Sequence, residues 1–303
     1  MPLSPLSSEF DLRTYLNPMW LRRAKAYMPE AELKYLSPLG EKTLHGVDAS
    51  TARGMTLGGD GKDEGPLKAF EDWAVEELRL LGLDGSGVTD NHRRLWESMN
   101  RSQADFDEWH AAAAERLRAH WKRCWLTVQT ARDQNGRDPR KSATRADGSP
   151  RIAHKYKLVD LFVRRLRITA PRGSALAQAV RQFGHIPLDR KSLALIGATV
   201  GHIVYGPSSS MGDVRTELAY RTYQRLTRAI CQAIGPEATP ILFDFFVWNA
   251  PAAQKVYAGK KKAKQLKAAK LPKAEEKGGK KNLKAAGRSV AHSTDDSSLL
   301  DAT

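Results

Sequence analysis

The chain has 303 residues and a formal charge of +15, from 49 Lys and Arg against 34 Asp and Glu; 41% of its residues are hydrophobic and 27% charged. That balance excludes wholesale disorder and allows one large core or two modest ones. Two cysteines, Cys124 and Cys231, exclude a disulfide scaffold and a multi-thiolate metal site. No apolar run approaches the roughly 18 residues that span a bilayer, and the start lacks a signal-peptide core. The reading is therefore a cytoplasmic protein with no membrane partner, whose partner is polyanionic.

In chain order, residues 46–65 are rich in Gly and Asp (Gly58-Gly59-Asp60-Gly61). They read as a loop, and because no strand precedes the glycines they are not a phosphate-binding loop. Pro66 opens an amphipathic helix through Phe70, Trp73 and Leu78 that ends near Gly82. Ser102 and Asp105, at capping-box spacing, open a long helix to about Arg132. Leu117, Trp121, Trp125 and Val128 form its apolar stripe, and Arg116, His120 and Arg123 form a basic one. A loop over 133–150 leads to a helix at 152–168, which points Leu158, Val159, Phe162 and Leu166 inward. Its opposite face carries Lys157, Asp160, Arg164 and Arg167.

Further helices are predicted at 174–183, 189–204, 211–234 and 240–249, the last with Thr239 as N-cap and Pro240 at its first position. Its segment Ile241-Leu242-Phe243-Asp244-Phe245-Phe246-Val247-Trp248 is apolar all round, so the helix is buried. Asp244 within it needs a partner, structural or functional. From Lys255 to Arg288 the chain is Lys, Ala and Gly with almost no apolar material, the composition of a disordered basic tail. The fold class is all-α.

Charge is strongly partitioned. Residues 1–115 carry 13 basic and 20 acidic side chains; 116–167 carry 15 and 4; 250–303 carry 13 and 5. The division is an acidic helical region at 1–115, a basic helical core at 116–250 and a Lys-rich tail at 251–303. A basic band and a basic arm both favour phosphate backbones, so DNA is the expected partner and the nucleoid the expected place. The eight histidines form no HExxH motif and no Cys/His cluster, and GxSxG is missing. No metal and no cofactor are expected on those grounds.

The most informative stretch is Pro187-Leu188-Asp189-Arg190-Lys191-Ser192-Leu193. Asp189 stands where a helix begins, and as a plain N-cap it stabilises by about 1 kcal/mol. A helix with Lys near its start, an extended link and then an apolar-Pro-apolar-Asp segment resembles the helix-hairpin-helix DNA glycosylases over residues 148–200. There the segment reads Pro-Val-Asp-Thr-His-Val and its Asp is the catalytic carboxylate. The resemblance implies that role for Asp189, and places Lys157-Leu158-Val159-Asp160 near the family's lysine-bearing helix. Gly148-Ser149-Pro150 stands in place of the glycine-rich hairpin, Arg190-Lys191 replaces Thr-His, and no iron–sulfur cysteines follow. What it implies is hydrolysis of the N-glycosidic bond without a lyase step.

The chemistry is consistent with the materials. Breaking that bond builds positive charge on the sugar, which a carboxylate stabilises while it orients water. The base must leave the duplex for an aromatic pocket beside a basic groove. Asp189 and Lys157 are the catalytic candidates. Arg151, His154, Lys155, Arg164, Arg190 and Lys191 are candidates for backbone contact; Tyr156, Asp244, Trp248 and Asn249 are candidates for the base pocket. The expected activity is excision of a damaged or modified base from double-stranded DNA, in repair or in defence against phage. The alternative is a non-catalytic nucleic-acid-binding protein, or one whose tail alone binds RNA or an acidic protein.

Overall fold

The computed structural model describes residues 12–37, 43–48, 51, 66–134, 144–201 and 211–256. The glycine-rich loop from residue 52, most of the 133–150 loop and the tail beyond residue 256 lie outside the described residues, as do the side chains of Trp125 and Val128.

Capping residues set most helix starts. Asn17 accepts from the Met19 amide ahead of α1 (Pro18–Leu36), with Pro18 at the first position. α2 runs Pro66–Leu80. α3 (Asp90–Met99) opens on a reciprocal pair, Thr89 Oγ1 accepting from the His92 amide and His92 Nδ1 from the Thr89 amide. α4 (Gln103–Gln134) follows Ser102, whose hydroxyl accepts from the Asp105 amide and donates to its carboxylate. α5 is Ile152–Thr169, α6 Ala175–Phe183, α7 Arg190–Thr199, α8 Glu217–Ile234 and α9 Pro240–Asn249. Each satisfied cap removes one orphan amide and contributes about 1 kcal/mol.

The architecture is all-α: among the described residues there is no strand, only the isolated bridges Leu44–Val47 and Thr144–Pro150. No helix there is long and apolar enough to cross a membrane. α7 stops five residues short of the predicted 204, at Thr199. α8 begins six residues after the predicted 211, because Thr216 takes the cap by accepting from the Ala219 amide and Met211–Asp213 is a separate 3-10 turn. α1 and α3 lie where the sequence reading placed no element.

α2 packs along α4, where Trp73 Nε1 donates to the Ala113 carbonyl at 3.0 Å. Trp73, Phe70, Leu117 and Trp121 are fully buried at this seam, each side chain contributing about 1.5–3 kcal/mol. α9 packs against α1, α6, α7 and α8, and Pro240 through Val247 are all buried. α5 touches α1, α4, α6 and α8. It is thus an interior helix, and the face read as opposite its apolar side is not a solvated one: Asp160 is fully buried. The described helices belong to one unit, Met1–Ala263, which spans both the acidic N-terminal region and the basic core.

Within that unit much of the basic band is paired internally. Arg116 Nε and Nη2 bond the buried Glu77 at 2.5 and 2.9 Å, and His120 Nε2 lies 2.6 Å from Glu76. The excess of acid in α2 and of base in α4 is therefore partly the two sides of one helix–helix contact.

Candidate functional site

Five of the residues singled out from sequence converge from three helices. Arg164 on α5 donates to Asp244 Oδ2 at 2.8 Å. Asp189 caps α7, and Lys191 two residues on places its ammonium 3.9 Å from the centre of the Trp248 ring. Asp189 Oδ1 accepts from the Lys191 and Ser192 amides at 2.7 and 2.9 Å, and Ser192 Oγ accepts from the Asp189 amide at 2.7 Å. Both amide bonds go to one oxygen, so Oδ2 is left outside the cap.

Asp244 is fully buried, with Oδ1 unpartnered. Burial pushes its carboxyl up to about 6; Arg164 pulls the other way, and the charges of Asp189 and Asp160 add to the rise. The site thus pairs a capped carboxylate with a carboxyl that carries its proton in mildly acidic water.

Other predicted residues go elsewhere. Lys155 is buried on α5, bonding Glu115 at 2.9 Å and Glu217 at 2.7 Å; it is not on a phosphate-gripping surface. Tyr156 is buried too, donating to Glu217 and stacked on Tyr220 at 3.9 Å between ring centres. It lines a cleft with His110, His185 and Tyr220, to which Asp244 and Trp248 do not contribute. Asn249 is exposed and donates to the Phe245 carbonyl of its own helix. Arg190 is exposed. Among the described residues no hydrogen bond or ion pair joins Lys157 to Asp189. Lys157 lies near His154, whose pKa falls to about 4 through burial first and then the charges of Lys157 and Arg151. His154 and Arg151 line a pocket of about 680 Å³ with Arg145 and Arg215.

A second polar centre escaped the sequence reading. His110 Nε2 lies 2.8 Å from Asp160 Oδ1, which also accepts from the Tyr220 hydroxyl at 2.8 Å. His185 Nδ1 lies 2.8 Å from that hydroxyl, and its Nε2 lies 2.8 Å from Asp107 Oδ1. All but Asp107 are buried, and Asp160 Oδ2 has no partner. The centre opens on a cleft of about 450 Å³ lined by Asp107, His110, His185, Tyr220, Arg225 and Arg228 among others.

Burial, then the nearby His110, lowers the His185 pKa against the pull of Asp107 and Asp160. Burial also raises Asp107, but the His185 bond and charge, with Gln103, outweigh it and bring the carboxyl to about 2.

Nothing in the spacing announces this centre, because His110, Asp160, His185 and Tyr220 come from α4, α5, the α6–α7 link and α8. No protein-family model, no curated protein and no solved structure matches the chain.

Proposed function

We propose that the chain is a DNA-binding hydrolase of the glycosylase kind, excising a damaged or modified base with Asp189 as its carboxylate. The observation that carries this reading is the convergence of Asp189, Lys191, Arg164, Asp244 and Trp248 from three separate helices. In this reading Asp189 Oδ2 faces the sugar as positive charge develops and orients the attacking water. Helix amides hold Oδ1 in place. Lys191, over Trp248, is placed to meet a backbone phosphate near the α7 N-terminus, and the Trp248 ring offers a wall for an extruded base. Lys157 has no part in the step, in keeping with hydrolysis alone.

The test incubates the purified protein with DNA carrying deaminated, oxidised, alkylated or hypermodified bases, then treats it with alkali and looks for strand breaks. Breaks lost in Asp189→Asn, with DNA binding kept, support the reading. Binding without breaks on every substrate favours the non-catalytic alternative. The internal pairing of Arg116, His120, Lys155 and Arg164 leaves that alternative with less open positive surface than the net charge implies.

A further inference from the structure

We infer that His110, Asp160 and His185 form a binding site for one divalent transition-metal ion, zinc being the ion their donors suit best. The inference stands apart from base excision and uses none of its residues. Each of the three offers one donor atom, and these atoms lie within 4.8 Å of one another. His110 Nε2 and His185 Nδ1 stand 2.8 and 4.0 Å from Asp160 Oδ1. Ligand bonds of about 2.0–2.2 Å in a tetrahedral shell separate donor atoms by about 3.3 Å, so these spacings bracket what the ion needs. Closing the shell brings His185 Nδ1 roughly 0.7 Å nearer to Asp160 Oδ1.

Three further features have the form of a metal site rather than of a core hydrogen-bond cluster. The far nitrogen of His185 meets a carboxylate, Asp107 Oδ1, at 2.8 Å, the support that ligating imidazoles ordinarily have. The Tyr220 hydroxyl lies 2.8 Å from both Asp160 Oδ1 and His185 Nδ1, among the donors, where it can hold both of them or join the shell itself. Asp160 Oδ2 is buried without a partner, and a buried carboxylate oxygen so left is costly unless a cation takes it.

Two imidazoles and one carboxylate leave a fourth position, and the adjoining 450 Å³ cleft gives it an entrance. A closed structural site has four protein ligands; three ligands and an opening are the pattern of a site that binds water or an exchangeable ligand. The absence of thiolates and the two nitrogens suit zinc over calcium or magnesium.

The experiment uses the full chain, stripped with a chelator and titrated with zinc chloride against a competing chromophoric chelator. Metal content is read by mass spectrometry and the site's ligands by the visible spectrum of the cobalt(II) form. One equivalent of zinc per chain is expected, with a cobalt spectrum of nitrogen and oxygen ligands and a zinc-dependent rise in melting temperature. His110→Ala should lose the bound ion. Should that variant fail to fold, Asp107→Ala decides: Asp107 is half-exposed on α4, and its loss should weaken zinc roughly 10–100-fold with helical circular dichroism unchanged. Zinc absent from the wild type at micromolar free metal overturns the inference. So does zinc held equally by Asp107→Ala, or a thiolate charge-transfer band in the cobalt form.

Discussion

The Asp189 charge reaches Asp244 across the junction of α7 and α9 and helps raise its pKa from an ordinary 3.8 to about 6, burial being the larger cause. A carboxyl whose folded pKa lies above its unfolded value favours folding most in acid. Its contribution is complete below about pH 4 and is lost as pH rises through 6. The free energy of unfolding of the wild type, less that of Asp244→Asn, should therefore fall by on the order of 3 kcal/mol between pH 4 and 7. Urea titrations of both proteins across that range measure it, and a flat difference would remove Asp244 from the set of perturbed acids.

At Asp189 stability and chemistry can be separated. Asparagine caps a helix about as well as aspartate, whereas alanine costs about 1 kcal/mol. Asp189→Asn should melt within a degree or two of the wild type while Asp189→Ala melts several degrees lower; both should abolish alkali-sensitive sites. If Asn retained excision and Ala lost it, the side chain would be acting through the fold alone.

Arg116 tests whether the basic stripe of α4 serves the fold or a ligand. Glu77 is fully buried and both its oxygens meet the Arg116 guanidinium. Removing one partner strands the other, at about 3–5 kcal/mol. Arg116→Met should lower the free energy of unfolding by that amount and leave DNA affinity unchanged at fixed salt. A loss of affinity with intact stability would return this arginine to the nucleic-acid surface.

These pairings mark where the sequence was legible. Helix starts were readable wherever a cap and a proline stood together, as at Thr239-Pro240, because capping is local chemistry. Asn17-Pro18 carried the same signal ahead of α1. The burial of α9 was readable from its apolar circumference. The burial of Lys155 and Asp160 was not, since helical periodicity in α5 shows that charges share a face but not that α4 and α8 cover it. Charge counts are silent on pairing for the same reason: nothing local to Arg116 and His120 shows that Glu77 and Glu76, some forty residues earlier, lie against them. The His110–Asp160–His185 centre has no sequence spacing at all, for its members meet only when four segments pack. By contrast Arg164, Asp189, Lys191, Asp244 and Trp248 were each singled out on local grounds, and the fold brings them together.

The Lys-rich segment beyond residue 256 makes the last prediction. It holds 12 Lys and Arg against 5 Asp and Glu, and each phosphate contact it makes would release counterions, so it should steepen the fall of affinity with salt. Deleting residues 257–303 should weaken binding to every DNA by a similar factor at low salt and flatten the slope of log affinity against log salt. In the proposed reading excision would rest on helices α5, α7 and α9, so its single-turnover rate at saturating protein should stay within about twofold, less than 0.5 kcal/mol in the barrier. A truncated chain that no longer binds DNA at all, even at low salt, would move the nucleic-acid contact into the tail and leave the Asp189 region without a substrate.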